Sequence, residues 1–336
     1  MFKTKKSIEY RTNPDLPVLK DDWQGNVVIN GKYHNDSVLD MKTLKDVIRW
    51  RFSRKPQREE KFNDKFQLKV RHFNISTMQK NSIIWLGHST FLIDVDGIRL
   101  ITDPCFVDMA MFKRKAPLPV SAEMLKPIHY ALISHDHRDH FDKNTIKILT
   151  QSNPNIEVLL PLGGNKLFND KNLKNIKRQE AGWYQEYNLN EDIQIVFLPA
   201  RHWGRRGLSD TNKTLWGSFL IISNHTKIFF AGDTAYDERL FKDIHYLFGD
   251  IDICMLPIGA YSPQWFMSSA HANPEEAVQI FNDLGGKWFI PMHYGTYDLS
   301  DEPPGEPIKR IHNSRINDQL KVLDVGEEFL FSLDIK

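Results

Sequence analysis

From position 83 onward, hydrophobic residues occur in short runs separated by polar turns, a pattern typical of β-strands. The runs are Ile83–Leu86, Thr90–Val95, Ile98–Thr102, Tyr130–Ile133, Val158–Leu160, Ile193–Phe197, Leu215–Ser223, Lys227–Ala231 and Ile251–Leu256. Asp96-Gly97 predicts a hairpin between two of them. Helical spacing occurs at about 143–150, 236–247 and 274–283, the last starting with Pro274 and two acids. Strands followed by helices, with hairpins among them, predict an α/β protein with two mixed sheets between helices.

Two segments differ from this pattern. Residues 1–80 are polar and basic, with one helical pattern from Asp40 to Phe52, and we expect them to form an extension that packs on the main domain, residues 81–336. Trp50 and Phe52 lie among arginines, so this helix either packs its apolar stripe on the main domain or contacts an anionic membrane surface. Residues 297–318 are rich in Pro, Asp and Glu, which predicts a surface loop.

Composition narrows the function classes. The 336 residues are 41% hydrophobic and 26% charged, with a formal net charge of +1, so no overall field favours nucleic acid. Cys105 and Cys254 each lie in an apolar run, which indicates buried thiols rather than a disulfide or metal site. No secretory signal and no run approaching the roughly 20 apolar residues of a membrane span is visible. The expected location is the cytoplasm, with peripheral membrane attachment as an alternative.

The segment from Ser134 to His140, Ser-His-Asp-His-Arg-Asp-His, carries the clearest chemical signal. Imidazole and carboxylate are ligands for divalent transition metals. His135 and His137 can point the same way in an extended or turning segment, and Asp139 and His140 can then serve a second ion. The alternative is a polar loop whose histidines are solvated, which is common for one histidine but rare for the whole pattern.

Three further metal-competent side chains follow predicted strands: His202, Asp233 and His293. Because ligand sites in layered α/β structures collect at the carboxyl ends of strands, we expect these residues to converge with the first cluster. The predicted grouping places His135, His137 and His202 on one ion. Asp139, His140 and His293 would bind the other ion, with Asp233 bridging the two.

These residues give the chain a resemblance to the metallo-β-lactamase superfamily, whose signature is H-x-H-x-D-H followed by a later His, Asp and His. Further segments resemble one branch, which contains the N-acyl-phosphatidylethanolamine-hydrolysing phospholipase D. The segments are Trp85-Leu86-Gly87-His88-Ser89-Thr90, Thr102-Asp103-Pro104, Pro199-Ala200-Arg201-His202-Trp203, Gly232-Asp233-Thr234-Ala235-Tyr236, Leu256-Pro257-Ile258-Gly259-Ala260-Tyr261, His271-Ala272-Asn273-Pro274 and His293-Tyr294-Gly295-Thr296. The resemblance implies a four-layer αββα sandwich and the metal roles given above.

The resemblance and the residues together predict a hydrolase with two divalent ions, expected to be zinc, with manganese or iron as alternatives. Two ions about 4 Å apart can share a water and lower its pKa toward about 7, giving a bridging hydroxide. The expected activity is that of a phosphodiesterase of phospholipase D type, acting on an N-acyl phospholipid or a smaller phosphodiester. A lactonase or amidase and a non-catalytic ligand-binding protein are the alternatives, and the oligomeric state stays open between a monomer and a homo-oligomer.

Several other residues are assigned supporting roles. Asp139 and Asp233 are expected to steer the nucleophilic water, and His271 is the candidate acid or oxyanion stabiliser. The predicted substrate-binding or supporting residues are His88, Asp103, Arg138 and Tyr261. Arg138 departs from the branch, which often has an aromatic residue there, and could pair with a substrate anion or with a neighbouring side chain. Trp203, Arg206 and Asn212 are further candidates for the pocket wall. Two apolar segments, Met109–Phe112 and Pro263–Met267, could line a lipid entry or pack inward.

Overall fold

The fold is described from a computed structural model of the chain, covering residues 8–35, 42–109, 112–190, 192–223 and 226–331. The strands are β1 Ile8–Arg11, β2 Asn26–Ile29, β3 Lys32–Tyr33, β4 Ser82–Gly87, β5 Thr90–Val95, β6 Ile98–Thr102, β7 Tyr130–Leu132, β8 Glu157–Pro161, β9 Lys177–Ala181, β10 Gln185–Glu186, β11 Gln194–Leu198, β12 Ser218–Ile222, β13 Lys227–Phe230, β14 Ile253–Pro257, β15 Trp288–Met292 and β16 Glu328–Leu330. The α-helices are α1 Leu44–Phe52, α2 Arg58–Asn63, α3 Lys143–Ser152, α4 Glu238–Phe248, α5 Gln264–Met267, α6 Pro274–Asp283 and α7 Glu306–His312.

Two large mixed sheets form the body of the molecule. One has seven strands in the order β16-β4-β5-β6-β7-β8-β9, and the other has six in the order β10-β11-β12-β13-β14-β15. In each sheet the early strands pair antiparallel, whereas β6 to β9 and β13 to β15 pair parallel. The parallel strands therefore deliver the loops that follow them to one edge of each sheet, as the sequence predicted.

The main core lies between the two sheets. Phe91 of the seven-stranded sheet meets Phe230 of the six-stranded sheet edge to face, with ring centroids 6.5 Å apart. Helix α4 packs on the outer face of the six-stranded sheet, where Phe241 meets Phe229 edge to face at 6.5 Å, and its Phe241 and Ile244 join the same hydrophobic cluster. Helix α3 instead joins a second cluster through Ile146 and Leu149, on the outer face of the seven-stranded sheet. This layering of helices, two sheets and helices confirms the predicted fold class.

Local sequence signals explain several element boundaries. The predicted hairpin is present, with Asp96 at φ 55° and Gly97 at φ 92°, so that Val95 pairs with Ile98. Helix α6 begins at the predicted Pro274, and Asn273 and Glu276 complete a reciprocal cap at its start. Buried, unpaired Cys105 and Cys254 agree with the prediction.

The prediction of a surface loop at 297–318 is wrong in its centre. Helix α7 forms there, with Pro307 in its first turn and Ile311 fully buried in the main core. The overall polar composition of the segment obscured the apolar side of this helix, which is buried where α7 packs beside α6.

The amino-terminal segment packs on the six-stranded sheet, where Val18 pairs with Gln185, and its Leu16, Val28 and Tyr33 enter the main core. Helix α1 begins at Leu44 and is capped by Thr43. Residues 40 and 41, the first two of the predicted helix, lie outside the described part. The proposed boundary near residue 80 stays a prediction. Among the described residues, no helix is long and apolar enough to cross a membrane.

Candidate metal centre

The carboxyl ends of strands from both sheets meet at one place. His135 follows β7 of the seven-stranded sheet, while His202, Asp233 and His293 follow β11, β13 and β15 of the other sheet. The turn before Asp233 needs glycine, because Gly232 has φ +59° and a Cβ there would lie 2.7 Å from Cβ of Ser134. A main-chain hydrogen bond from the His293 N–H to the His88 carbonyl, 3.2 Å, joins the two sheets beside the site.

The first group of side chains is His135, His137, His202 and Asp233, whose ligand atoms all lie within 4.8 Å of one another. Nδ1 of His137 lies 2.9 Å from Nε2 of His135 and 3.2 Å from Nε2 of His202. Oδ2 of Asp233 is 3.9 Å from His135 and 3.8 Å from His202. Three imidazoles and one carboxylate therefore surround one point, as the sequence grouping requires.

The second group contains Asp139, His140 and His293, joined by His88. Oδ2 of Asp139 lies 3.5 Å from Nε2 of His140 and 3.7 Å from Nε2 of His293. Asp233 reaches this group too, since its Oδ2 is 3.2 Å from His140 and its Oδ1 is 3.1 Å from His293. Asp233 thus stands between the two groups, the position expected of a bridging carboxylate.

Hydrogen bonds behind the ligands fix which imidazole nitrogen carries a proton. The Ser134 hydroxyl donates to Oδ2 of Asp103, at 2.6 Å, so it can only accept from Nδ1–H of His135, at 2.9 Å. Nδ1–H of His140 also donates to Asp103, at 2.7 Å. In the neutral form of each ring, Nε2 therefore carries a lone pair that points into the site, which is the arrangement that a metal ligand needs.

Two other ligands are held in the same way. Nδ1–H of His202 donates to the Ala270 carbonyl at 2.8 Å, so its Nε2 also presents a lone pair to the site. Nε2 of His88 lies 3.0 Å from Oδ2 of Asp139 and fixes that carboxylate. His88 and Asp103 thus occupy the supporting positions assigned to them, and their roles stay predictions.

The buried charges around the second group are strongly coupled. Burial disfavours charged His140, but the carboxylates of Asp233, Asp139 and Asp103 outweigh burial and raise the pKa of this imidazole well above its usual value. Asp233 and Asp139 likewise overcome burial and raise the pKa of His293 to about 9. The two carboxylates create a demand for positive charge here, and a divalent cation can meet it in place of protons.

The remaining histidines of the site are held neutral. Burial lowers the pKa of His88 to about 3 and the pKa of His137 and His271 to about 4. It also lowers the pKa of His135 and His202 well below the usual value. Neutral imidazole is the form that binds metal. Several buried site atoms have no hydrogen-bond partner: Nε2 of His140, Oδ1 of Asp233 and both ring nitrogens of His293. The donor set, the lone pairs and the unpartnered atoms fit divalent metal ions.

The mouth of the site is formed by side chains that are mostly, but not fully, buried. His271 and Asp139 each keep 15% of their side chain exposed. Nδ1 of His271 lies 3.9 Å from Oδ2 of Asp233 and has no hydrogen-bond partner. Trp203 packs its ring edge to face on His137, with centroids 4.6 Å apart, and so forms a wall beside the ligands.

Two of the predicted substrate residues are engaged elsewhere. Exposed Arg138 donates to the main-chain carbonyl of Arg206, at 3.1 Å, instead of pairing with an acid. The hydroxyl of Tyr261 donates to Glu306, at 2.7 Å, and its ring stacks with Arg310, so its contacts do not reach the histidines. Of the two apolar segments, 263–267 forms α5 with Met267 buried and Trp265 exposed, while part of 109–112 lies outside the described residues.

Sequence reasoning missed some of the groups that hold the site and named others for a different place. Ser134 carries the contact between His135 and Asp103, and its place directly before the signature was an available signal. Arg206 was expected in the pocket wall, but its guanidinium points inward and donates to the carbonyls of Asp136 and Phe141. Asn212 is likewise structural, since its side chain accepts from the Gly204 N–H. The carbonyl of Ala270 had no signal, because a main-chain group is independent of residue type.

Comparison with known proteins agrees with this geometry. A family model described as the beta-lactamase superfamily domain matches residues 98–294. The chain belongs to the metallo-β-lactamase superfamily. The chain is also 36% identical, over 264 residues, to the N-acyl-phosphatidylethanolamine-hydrolyzing phospholipase D 1 of Caenorhabditis elegans, covering 72% of this chain and 74% of that protein. These matches confirm both the superfamily and the branch that the sequence resembles.

Two further relatives extend the comparison. The mitochondrial N-acyl-phosphatidylethanolamine-hydrolyzing phospholipase D of Saccharomyces cerevisiae is 33% identical over 238 residues, which are 68% of this chain and 50% of the yeast protein. The structure of Igni18, a metallo hydrolase from Ignicoccus hospitalis, superposes with a TM-score of 0.56 at 20% identity, covering 75% of this chain and 99% of Igni18. The protein is thus a hydrolase of the metallo-β-lactamase superfamily with His/Asp clusters suited to divalent metal ions.

Proposed function

We propose that this metallo-β-lactamase superfamily member is a dinuclear metal-dependent phosphodiesterase of phospholipase D type. The single observation that supports this most is the arrangement of Asp233 between two groups of ligands, in a chain similar to two N-acyl-phosphatidylethanolamine-hydrolyzing phospholipases D. The proposed substrate is an N-acyl phospholipid or a smaller phosphodiester. The leaving group would be the alcohol whose oxygen lies opposite the attacking water, which for an N-acyl-phosphatidylethanolamine is the N-acylethanolamine.

The residues that would hold the ions are those predicted from the sequence: His135, His137 and His202 for one, Asp139, His140 and His293 for the other, and Asp233 for both. Ligands of nitrogen and oxygen without thiolate suit zinc, and also manganese or iron, and we propose zinc. When bound, such a pair of ions supplies a water of lowered pKa and electrostatic stabilisation of the phosphoryl oxygens.

The chain's own residues would complete the chemistry. The contacts with His140 and His293 hold the Asp233 carboxylate, and therefore its negative charge, in one place. Asp139 is fixed by His88, yet remains partly exposed at the mouth, where it can orient a water and accept its proton. His271 has a free Nδ1 at the same mouth and can donate a hydrogen bond to the phosphoryl group or the leaving oxygen.

The proposed activity is tested with three substrates on the same purified protein: a phosphodiester such as bis(p-nitrophenyl) phosphate, a lactone and a β-lactam. We expect turnover of the phosphodiester, loss of turnover on chelation and recovery on adding zinc. N-acyl-phosphatidylethanolamine should then yield phosphatidate and an N-acylethanolamine. Turnover of the lactone alone would overturn the proposal in favour of a carboxylic hydrolase.

Replacing His271 separates its proposed role from ligation. We expect His271→Ala to slow phosphodiester turnover by about 100-fold, the lower end of general acid–base effects, with both ions retained. Elemental analysis and steady-state kinetics check the two parts. His245→Ala, at a half-exposed histidine on α4 paired with Asp250, is the matched control and should behave like the parent. An unchanged rate would assign His271 a structural role, and loss of an ion would make it a ligand.

A membrane contact beside the mouth is part of the proposed function. Helix α1 packs inward through Trp50, which stacks on Phe266 of α5 at 4.9 Å. Its opposite face exposes Ile48 and Phe52, the last with 81% of its surface exposed, and Val47, on the flank beside Trp50, is exposed as well. Since α5 leads directly to His271, whose N–H bonds to the Met267 carbonyl, helix α1 lies beside the chain that forms the mouth.

The surroundings of α1 carry the charge that an anionic lipid surface requires. Arg49 lies over the Trp265 ring at 4.7 Å, and Phe62 of α2 is exposed by 82%. A groove of about 1170 Å³ runs beside α2, with more cationic than acidic side chains in its wall. The cations are Arg54, Lys55, Arg58, Lys61, Lys65 and Lys115, and the acids are Glu59, Asp64 and Asp298. Lys55 is paired with Asp301, and Lys61 and Lys115 are paired with Asp298, so the excess of positive charge rests on Arg54, Arg58 and Lys65.

Vesicle flotation tests this contact. We expect the protein to float with vesicles of phosphatidylcholine and phosphatidylglycerol, and the double variant Phe52→Asp, Phe62→Asp to remain in solution. Tyr246→Asp, at an aromatic residue of α4 with 86% of its surface exposed, is the matched control and should float like the parent. Equal flotation of the parent and the double variant would remove α1 and α2 from the proposed contact.

A further inference from the structure

Within the described part of the amino-terminal segment, the side chain of Asn35 contacts the main chain of a candidate metal ligand. Its Nδ2 donates to the main-chain carbonyl of His202, at 3.1 Å. Its Oδ1 accepts from the indole N–H of Trp216, also at 3.1 Å. Because an indole N–H can only donate and a carbonyl can only accept, the amide has one orientation that satisfies both groups.

We propose that Asn35 is a positioning residue for the metal ligand His202. This inference rests on the proposed metal centre and adds to it a residue outside the matched family region, 98–294. Asn35 would fix the main chain of His202, while the Ala270 carbonyl fixes its ring through Nδ1, at 2.8 Å. With both its main chain and its ring held, the position of Nε2 of His202 is determined. The affinity of a site for its metal ion depends on such contacts behind the ligands.

Neighbouring contacts hold the Asn35 amide against the loop that carries His202. Trp216 is fully buried, and its indole N–H also bonds to the Ala200 carbonyl at 3.0 Å, so it is a rigid support for the Asn35 amide. Two residues before Asn35, the N–H of Tyr33 donates to the Asn212 carbonyl at 2.7 Å. Tyr33 and Asn35 therefore bond to the loop that carries His202 at two places, Asn212 and His202 itself.

The experiment measures metal affinity rather than turnover. Metal-free parent and variants are titrated with zinc in competition with a chromophoric chelator, and the cobalt(II) form is followed by its visible absorption. We expect Asn35→Ala to weaken the binding of one of the two ions by about 10-fold, the lower end of the effects measured for residues that support metal ligands. The affinity for the other ion should be unchanged. Asn35→Asp keeps the acceptor for Trp216 and loses the donor to His202, so it should weaken the same ion and alter the cobalt spectrum.

Asn26 provides the matched control. It is a fully buried asparagine of the same segment whose Oδ1 accepts from the main-chain N–H of Trp183, at 3.1 Å, rather than bonding to a candidate metal ligand. Asn26→Ala should lower the unfolding midpoint without changing either dissociation constant. Wild-type affinities in both Asn35 variants, or equal weakening in Asn26→Ala, would overturn the positioning role. A parent that binds no divalent ion would overturn the metal centre itself, whereas a parent with two ions and no phosphodiester turnover would overturn only the proposed activity.

Discussion

Asp233→Ala is expected to release both ions and to lower phosphodiester turnover by more than about 1000-fold, since even one lost transition-state contact can cost this much. The carboxylate lies within 3.2 Å of two histidines of one group and within 3.9 Å of two of the other. Its removal takes away the negative charge shared by both sites. It also leaves His140 and His293 with only Asp139 and Asp103 to balance a positive charge.

The measurements are metal content by elemental analysis, turnover, and far-ultraviolet circular dichroism to show that the fold is retained. Asp237→Ala is the matched control, because this acid follows the same strand and its side chain makes no capping bond to α4. The control should keep both ions. Retention of both ions by Asp233→Ala at parental affinity would show that the carboxylate does not bridge the groups.

His137→Ala should have the second largest effect, confined to one ion. Nδ1 of His137 is the atom nearest to both other imidazoles of the first group, at 2.9 and 3.2 Å. Its loss should therefore reduce the metal content from two ions to one and slow turnover by at least about 100-fold. The second group, which contains no atom of His137, should still bind its ion.

Zinc titration of the metal-free variant distinguishes one remaining site from two, and thermal unfolding shows whether the variant folds. His312→Ala, a histidine in the last turn of α7 outside the ligand groups, serves as the matched control. If His137→Ala held both ions as tightly as the parent, the assignment of the first group would be wrong.

Much of the fold was predictable because its signals are local. Asp96-Gly97 specified the hairpin, and Pro274 with two acids specified the start of α6. Helix α7 was missed because its evidence is not local: Ile311 is buried only through packing of the segment beside α6. A stretch rich in Pro and acids gives no sign of such packing.

The candidate site also has parts that were predictable from local sequence and parts that were not. The spacing in the Ser134–His140 segment and the strand ends at His202, Asp233 and His293 were enough to predict the two groups of side chains. The contacts behind them were not predictable, since Asn35 and His202 are far apart in the chain and the Ala270 carbonyl has no sequence signature. Arg138 illustrates another limit: its place within the signature left open a substrate anion or a neighbouring side chain, and only the structure shows that its guanidinium bonds to the main-chain carbonyl of Arg206.

The distribution of ligands between the sheets has a consequence for the whole molecule. His135, His137, Asp139 and His140 belong to loops of the seven-stranded sheet, while His202, Asp233 and His293 belong to the six-stranded sheet. Each bound ion would therefore act as a cross-link between the two halves of the sandwich, in addition to the Phe91–Phe230 packing. Metal starvation would then weaken the seam between these halves before it affected either half alone.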